Sequence, residues 1–199
     1  LHLYAERGPE MVHALRGMFA FGIWDERQQE LFLARDPLGI KPLYYADDGA
    51  TFRFATLVDA LMKGGRVDTG EDAAGTTVRV GHGGSREPSC YFSVSEEFRK
   101  AEAAPGTLAP AAIDEQIRAI LGDSMRHHMV SDVPVGIFLS SGVDSSVLAA
   151  LGAGLDREKL QAITLGFREY RGTPDDETVL AGKHAGQLGI RQTTQWIER

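Results

Sequence analysis

The segment VGIFLSSGVDSSVLAAL (Val135–Leu151) passes from an apolar strand to an apolar helix through a cluster of serines, a glycine and an aspartate. In an open parallel sheet, ligands bind beyond the carboxyl ends of the strands. A helix that begins there offers free N–H groups and the positive end of its dipole. The pattern therefore predicts an anion site, most simply for phosphate, in this loop. Further donors are the hydroxyls of Ser140, Ser141, Ser145 and Ser146.

Gly142 and Asp144 refine this prediction. A glycine lets the backbone turn tightly and approach a ligand closely. The carboxylate of Asp144 would repel a bare phosphate, so we expect a Mg²⁺ ion to bridge it to the ligand. The loop has no Gly-Lys-Ser/Thr ending and is therefore not a Walker A loop. The alternative is a capped turn without a ligand, because Ser, Asp and Gly are all favoured at helix starts.

Strands and helices alternate around this loop. Residues 110–132 repeat apolar side chains at three- and four-residue steps, which is typical of a helix. The strands VGIFL, LQAITLGF and IRQTTQWI then alternate with the helices SSVLAALGAG and DDETVLAGKHAGQLG. Thr173 and Asp176 indicate the start of the last helix, and Gly189 its end. The alternation predicts a parallel sheet.

The first half of the chain has a different pattern. Two short helices are predicted in LHLYAERGPEMVHALRGMF, separated at Gly8. Short aromatic and aliphatic segments with turn residues between them then predict an antiparallel meander. A helix is expected in TLVDALMKGG, which ends at glycines. The four predicted strands are 18–25, 30–36, 41–47 and 51–56.

Residues 64–110 are rich in Gly, Thr and charged side chains. Only TTVRV and CYFSV have the composition of strands, and FRKAEAAPGTLAP is typical of a linker. We therefore predict that this stretch connects two domains.

Composition excludes several classes of protein. The 199 residues carry a net charge of −7, which argues against nucleic acid as a partner. No apolar run approaches the ~20 residues that a membrane-spanning helix needs. The single cysteine, Cys90, allows neither an internal disulfide nor a thiolate metal cluster, and it fits a reducing cytoplasm. Because the chain begins at Leu1 within a predicted helix and ends after a predicted strand, we expect an internal fragment of a longer protein.

The loop resembles a motif of a known family. Ser140, Gly142, Asp144 and Ser145 match the Ser-Gly-Gly-x-Asp-Ser pyrophosphate-binding loop of the asparagine synthetases. Ser141 replaces the first glycine of the pair, which is tolerable unless that position needs a positive φ. Independently, GMFAFGIWDERQQELFLARDPLGIKPLYYA resembles the later part of the glutamine amidotransferase domain that precedes this loop in the family.

The resemblance implies an α+β fold followed by an α/β fold. The first is part of an amidotransferase sandwich of the N-terminal-nucleophile type, and the second is an incomplete, Rossmann-like parallel sheet that binds a nucleotide. It implies three regions: the end of the amidotransferase domain (1–66), a shortened connecting segment (67–110) and the start of the ATP-binding domain (111–199).

The resemblance also implies a reaction. In the family, glutamine hydrolysis supplies ammonia, and ATP with Mg²⁺ converts aspartate to an acyl-adenylate. Pyrophosphate leaves as the adenylate forms, and attack of ammonia on the adenylate then releases asparagine and AMP. Carried over by position, the loop would bind the ATP phosphates, with Asp144 near the metal. Leu139 would touch the nucleotide, and Leu165 and Gly166 match the adenine-contacting segment, although core packing is the alternative for the leucines. The loop residues implied are Ser140, Ser141, Gly142, Asp144 and Ser145.

Other positions depart from the family. Cys90 lies mid-chain and cannot be the N-terminal nucleophile, so no glutaminase catalyst is expected here. We interpret Arg35, Asp36 and Lys41 of RDPLGIKPLYY as turn and interface residues. GRVDTGEDAA resembles the start of a helical insert whose middle is missing. The acidic run 175–177 could help to hold Mg²⁺, or it could simply suit a helix N-terminus.

Three functions therefore stay open. The first is an ATP-dependent, glutamine-hydrolysing asparagine synthetase-like ligase, present here as a fragment that is inactive alone. The second is an amidotransferase or cyclase of the same family that acts on another carboxylate. The third is a truncated remnant without catalysis. The expected partners are small molecules, namely ATP, aspartate or another carboxylate, and glutamine, and a homodimer is compatible with the resemblance.

Overall fold

The structure, a computed structural model, describes residues 1–65, 74–85, 88–103, 106 and 108–198. It forms two compact units, Leu1–Gly106 and Thr107–Arg199. Residues 66–73 lie outside the described residues. They contain the predicted domain boundary at 66 and most of the stretch GRVDTGEDAA that resembles the start of the insert. Within the described part, no helix combines the length and apolar character needed to cross a bilayer.

The first unit is built on an antiparallel sheet whose central strand is buried on both faces. Strand β2 (Glu30–Arg35) pairs with β1 (Ala20–Asp25) on one side and with β5 (Thr76–Gly81) on the other. Phe32 and Ala34 pack against Met11 and Val12 on one face, while Leu33 packs with the other cluster of apolar side chains. The elements of this unit are α1 (His2–Arg7), a 3₁₀ helix (Gly8–Ala14), β1 (Ala20–Asp25), β2 (Glu30–Arg35), β3 (Tyr44–Asp47), β4 (Phe52–Ala55), α2 (Val58–Lys63), β5 (Thr76–Gly81), β6 (Gly84–Ser85), β7 (Ser89–Cys90) and α3 (Val94–Ala103).

The predicted four-stranded meander is wrong in one respect. Strands β3 and β4 pair with each other and form a separate two-stranded sheet. In a meander, β3 would pair with the free edge of β2. In the structure β5 pairs with that edge, with Leu31 opposite Val80 and Leu33 opposite Val78. Strand β5 lies in the segment that we expected to connect two domains, and here it completes the first sheet.

Asp36 explains why β3 does not continue the sheet. Its carboxylate is 1% exposed and accepts hydrogen bonds from the backbone N–H groups of Leu38 (3.1 Å), Ile40 (3.0 Å) and Lys41 (2.9 Å). It also accepts one from Phe19 N at 3.3 Å. These bonds hold the chain after β2 in a fixed loop, so the turn role expected of Asp36 is confirmed.

Helix α3 corrects the interpretation of residues 90–103. We expected a strand in CYFSV and a linker from Phe98, but α3 begins at Val94 and includes the first six residues of that linker. Ser93 Oγ accepts a hydrogen bond from Glu96 N at 3.4 Å, as in a capping box. Ion pairs Arg99–Glu96 and Lys100–Glu97, both 2.7 Å, join successive turns of the exposed helix.

The second unit contains the predicted parallel sheet, and this prediction is confirmed. Among the described residues, its strands lie in the order β10 (Arg191–Ile197), β9 (Leu160–Phe167), β8 (Val135–Phe138), and both neighbouring pairs are parallel. Leu160 and Ala162 of β9 pack against small side chains such as Ala149 and Ala185, which let the helices approach the sheet closely. The elements are α4 (Pro110–His128), β8 (Val135–Phe138), α5 (Val143–Asp156), β9 (Leu160–Phe167), a 3₁₀ turn (Arg168–Tyr170), α6 (Glu177–Leu188) and β10 (Arg191–Ile197).

Candidate functional site

The candidate site is the loop between β8 and α5, at the carboxyl end of a parallel strand. Leu139, which follows β8, donates its N–H to Ile163 O at 2.9 Å. Its carbonyl accepts a hydrogen bond from the buried hydroxyl of Thr164 at 2.8 Å, and Thr164 Oγ1 in turn accepts one from Gln192 Nε2 at 2.7 Å. A chain of polar side chains thus fixes the strand end from which the loop departs.

The serine hydroxyls bond within the loop itself. Ser140 N donates to Ser145 Oγ at 3.2 Å, and Gly142 N donates to Ser140 Oγ at 3.1 Å. The two hydroxyl oxygens lie 3.0 Å apart, and Ser145 Oγ also lies 3.1 Å from Gly142 O. The backbone N–H groups of Ser140 and Gly142 are therefore both paired with serine hydroxyl oxygens of the same loop.

The backbone at Gly142 is ordinary, so the turn alone does not need a glycine, while close approach to a ligand stays a prediction. Its φ of −73° and ψ of 152° are accessible to any residue. A Cβ at this position would lie 3.2 Å from Ser140 Oγ, so space beside that hydroxyl is what the glycine provides. Ser141 is not among the described non-glycine residues with positive φ, and its replacement of the family's glycine therefore causes no backbone strain.

Asp144 lies in the first turn of α5 with its side chain exposed. No group of three or more His, Cys, Asp or Glu side chains that could hold a metal ion occurs among the described residues. An Mg²⁺ ion commonly takes one or two carboxylates and completes its shell with water and phosphate oxygens. A single exposed carboxylate beside the candidate loop fits that kind of site and does not fit an all-protein metal cage.

The three apolar candidates have different surroundings. Leu139 is 2% exposed and belongs to the core cluster, so its side chain has the packing role given as the alternative. Leu165 is 46% exposed at the same edge of the sheet. Gly166 is buried, and a Cβ there would lie 2.7 Å from the Trp196 ring and 2.8 Å from Thr178 Cγ2. Packing between β9, β10 and α6 thus requires this glycine.

Leu165 and Gly166 also line a depression of about 200 Å³ at the carboxyl end of β9, together with Tyr170 and the acidic residues 175–177. Asp176 is the N-cap of α6, and it accepts hydrogen bonds from Thr178 N (3.1 Å) and Gly172 N (2.9 Å). The hydrogen bond from the Thr178 hydroxyl, followed by that from Gly172 N, lowers the pKa of Asp176. Capping of the helix, the alternative given for this acidic run, is therefore the role observed for Asp176.

Three polar residues near the loop were missed in the sequence. Thr164 and Gln192 fix the end of β8, and His184 of α6 contacts Ser146 with 3.0 Å between Nδ1 and Oγ. A threonine within the apolar strand LQAITLGF was a signal for a buried polar role. His184 gave no such signal, because its contact with α5 depends on how two helices pack.

Comparison with known proteins agrees with the two halves of the chain. A family model described as a glutamine amidotransferase domain matches residues 1–112, and a model described as asparagine synthase matches residues 116–198. This chain belongs to the asparagine synthetase family. Its two matches occur in the order that the sequence resemblance predicted.

Curated members of the asparagine synthetase family are similar over most of this chain. Asparagine synthetase [glutamine-hydrolyzing] 3 of Bacillus subtilis strain 168 is 34% identical over 173 residues, which cover 77% of this chain and 28% of that protein. Asparagine synthetase [glutamine-hydrolyzing] 1 of the same strain is 31% identical over 215 residues, covering 99% and 33%. Asparagine synthetase B of Escherichia coli K12 is 34% identical over 153 residues, covering 76% and 26%. The chain thus spans a third or less of these relatives.

Two solved structures show a weaker likeness. Glutamine phosphoribosylpyrophosphate amidotransferase of B. subtilis, complexed with ADP and GMP, is 18% identical with a TM-score of 0.39, covering 96% of this chain and 35% of that one. The allosteric regulatory enzyme of purine biosynthesis is 14% identical with a TM-score of 0.40, covering 98% and 50%. Likeness at this level adds nothing to the description of the fold.

Proposed function

We propose that this chain provides part of the ATP site of a glutamine-dependent ligase that makes an amide from aspartate. The observation that carries the proposal is the loop SSGVDSS at the carboxyl end of a parallel strand, within the segment 116–198 that matches asparagine synthase. The parallel order of β8, β9 and β10 supports a Rossmann-like, nucleotide-binding sheet.

Each part of the loop has a role in this proposal. The N–H groups of the first turn of α5, with those of Ser140 and Gly142, would bind the ATP phosphates once the phosphate oxygens displace the serine hydroxyls. Ser140, Ser141 and Ser145 would then turn their hydroxyls to the ligand. A Mg²⁺ ion held by Asp144 would supply positive charge to the phosphates as pyrophosphate leaves. Leu165 would offer apolar contact to the adenine, while Leu139 and Gly166 shape the site through packing.

The reaction that these groups would serve is adenylation. The substrate carboxylate attacks the α-phosphorus of ATP, an acyl–phosphate bond forms, and the bond to pyrophosphate breaks. Ammonia, which glutamine hydrolysis would supply in the whole protein, then attacks the acyl carbon and releases AMP.

Exchange of labelled pyrophosphate into ATP, measured on the whole protein that carries this segment, tests this function, because the segment alone is expected to be inactive. Because adenylation is reversible, exchange occurs only in the presence of a carboxylate that the enzyme activates. We expect exchange with aspartate and none without a carboxylate. Exchange with other amino or carboxylic acids but not with aspartate would favour the relatives that act on another carboxylate. A folded whole protein that neither exchanges pyrophosphate nor binds MgATP would favour the non-catalytic remnant.

A further inference from the structure

His184 lies on α6, outside the loop, yet its ring reaches the first turn of α5. Its Nδ1 is 3.0 Å from Ser146 Oγ, and the residue is only partly exposed. Ser146 Oγ also lies 2.8 Å from Gly142 O, and Ser146 N donates to the same carbonyl at 3.2 Å. A side chain from the neighbouring helix therefore contacts the residue that closes the first turn after the candidate phosphate loop.

The number of protons on this pair determines the direction of the bonds. A serine hydroxyl has one proton to donate and lone pairs with which to accept. The hydroxyl proton of Ser146 is used when it donates to Gly142 O. The contact with His184 is then a hydrogen bond only if His184 Nδ1 carries a proton and donates it to Ser146 Oγ. In this arrangement Ser146 Oγ is bonded to Gly142 O and to His184 of α6, whereas the hydroxyl oxygens of Ser140 and Ser145 lie 3.0 Å from each other.

We propose that His184 is a positioning residue for the loop Ser140–Ser146. By holding Ser146 Oγ, it fixes the Gly142 carbonyl and thereby the direction of the N–H groups in the first turn of α5. The effect on ligand affinity rests on the nucleotide-binding function proposed above, whereas the effect on loop order rests only on the contacts just described.

Two substitutions of similar size separate a hydrogen bond from simple packing. In His184→Asn, the amide nitrogen takes the place of Nδ1 and can still donate to Ser146. In His184→Leu, the side chain keeps a comparable volume but has no donor. His128→Leu is the control, because His128 is exposed and its Nδ1 contacts Ser124 O of its own helix, at 2.9 Å.

The first readout is amide hydrogen exchange at Ser146 in the 199-residue chain, which needs no ligand. We expect protection to fall about fivefold in His184→Leu, the factor expected from one hydrogen bond, and to return in His184→Asn. Ser146→Ala should lower the protection of the amide at position 146 by the same factor or more. Adding His184→Leu to Ser146→Ala should not lower that protection further. Unchanged protection in His184→Leu, or no recovery in His184→Asn, would overturn the proposal.

The second readout is MgATP affinity of the same variants. We expect the Kd to rise about fivefold in His184→Leu and to stay within error in His184→Asn and His128→Leu. If exchange at Ser146 responds as predicted but the wild-type chain binds no MgATP, the positioning of the loop stands and the nucleotide function fails. If MgATP binds but neither exchange nor affinity responds to His184→Leu, the inference about His184 is wrong and the function stands.

Discussion

Asp36 shows how much one side chain can contribute to this fold. Burial alone would raise the pKa of its carboxyl, but hydrogen bonds from the backbone N–H groups of Lys41, Ile40, Leu38 and Phe19 outweigh burial and lower it. Arg35 completes the loop by donating to Gly39 O (2.8 Å) and Lys41 O (3.0 Å). The loop after β2 is thus held by charged side chains at its base rather than by an apolar core.

Asp36→Asn should destabilise the chain by about 3 kcal/mol or more. Backbone N–H groups donate to both carboxylate oxygens of Asp36, and in asparagine one of these oxygens is replaced by an NH₂ group that cannot accept their hydrogen bonds. Urea unfolding at neutral pH measures this cost. Asp59→Asn, an exposed aspartate on α2, is the matched control and should change stability little.

The lowered pKa of Asp36 gives this cost a dependence on pH. A carboxyl with a folded-state pKa below its unfolded value of about 3.9 contributes its full stability above that value and loses it as the pH falls through the folded-state pKa. The difference in stability between wild type and Asp36→Asn should therefore narrow below about pH 4. A difference that is constant from pH 7 to pH 2 would contradict the account of this loop.

Between elements, the contact of β9, β10 and α6 depends on the absence of a side chain at Gly166. Trp196 and Thr178 occupy the space that its Cβ would take. The guanidinium of Arg171 lies over the Trp196 ring, 5.0 Å from the ring centroid. Close packing of this kind tolerates added volume poorly.

Gly166→Ala should destabilise the chain by about 1–3 kcal/mol, because the Trp196 ring must move. Gly154→Ala is the control: Gly154 lies exposed in α5 with nothing within 4 Å of its would-be Cβ, and alanine there should stabilise slightly. Trp196→Leu should reduce the cost of Gly166→Ala when the two are combined. Equal costs with and without the tryptophan would show that the contact is not responsible.

The start of α6 offers a second test between elements. Asp176→Ala removes the acceptor for Thr178 N and Gly172 N and should lower the midpoint of thermal unfolding. Asp175→Ala, one residue earlier and exposed, should lower it less. If the two variants unfold at the same temperature, capping by Asp176 is not what stabilises the helix start.

Elements with a strong local signal could be predicted from the sequence, and those that depend on distant partners could not. The alternation of β8, α5, β9, α6 and β10 follows from local patterns of apolar residues. The partner of β2 could not be read in this way, because Asp36 diverts the chain and the partner strand comes more than forty residues later. Helix α3 was not predicted, although Ser93 and Glu96 have the spacing of a capping box. The Pro and Gly residues that follow it in APGTLAP predicted a linker instead.

For the molecule as a whole, the two family matches and the two compact units divide the chain at nearly the same place. The candidate phosphate loop could be proposed from the sequence because its polar residues, serines, a glycine and an aspartate, lie in one short stretch. The support of that loop by Thr164, Gln192 and His184 could not, because it arises only when β9, β10 and α6 pack around it. The chain has a net charge of −7 and would repel the negatively charged ATP. We therefore expect ATP to bind together with a cation.

Calorimetric titration of ATP tests the central claim most directly. We expect the wild-type chain to bind ATP with Mg²⁺ and to bind it far more weakly when EDTA removes the metal. Asp144→Asn should raise the Kd at least about tenfold, whereas Asp114→Asn, an exposed aspartate on α4, should not change it. A folded wild-type chain that binds no ATP, or an Asp144→Asn variant that binds as well as wild type, would contradict the assignment of SSGVDSS as a magnesium-dependent phosphate loop.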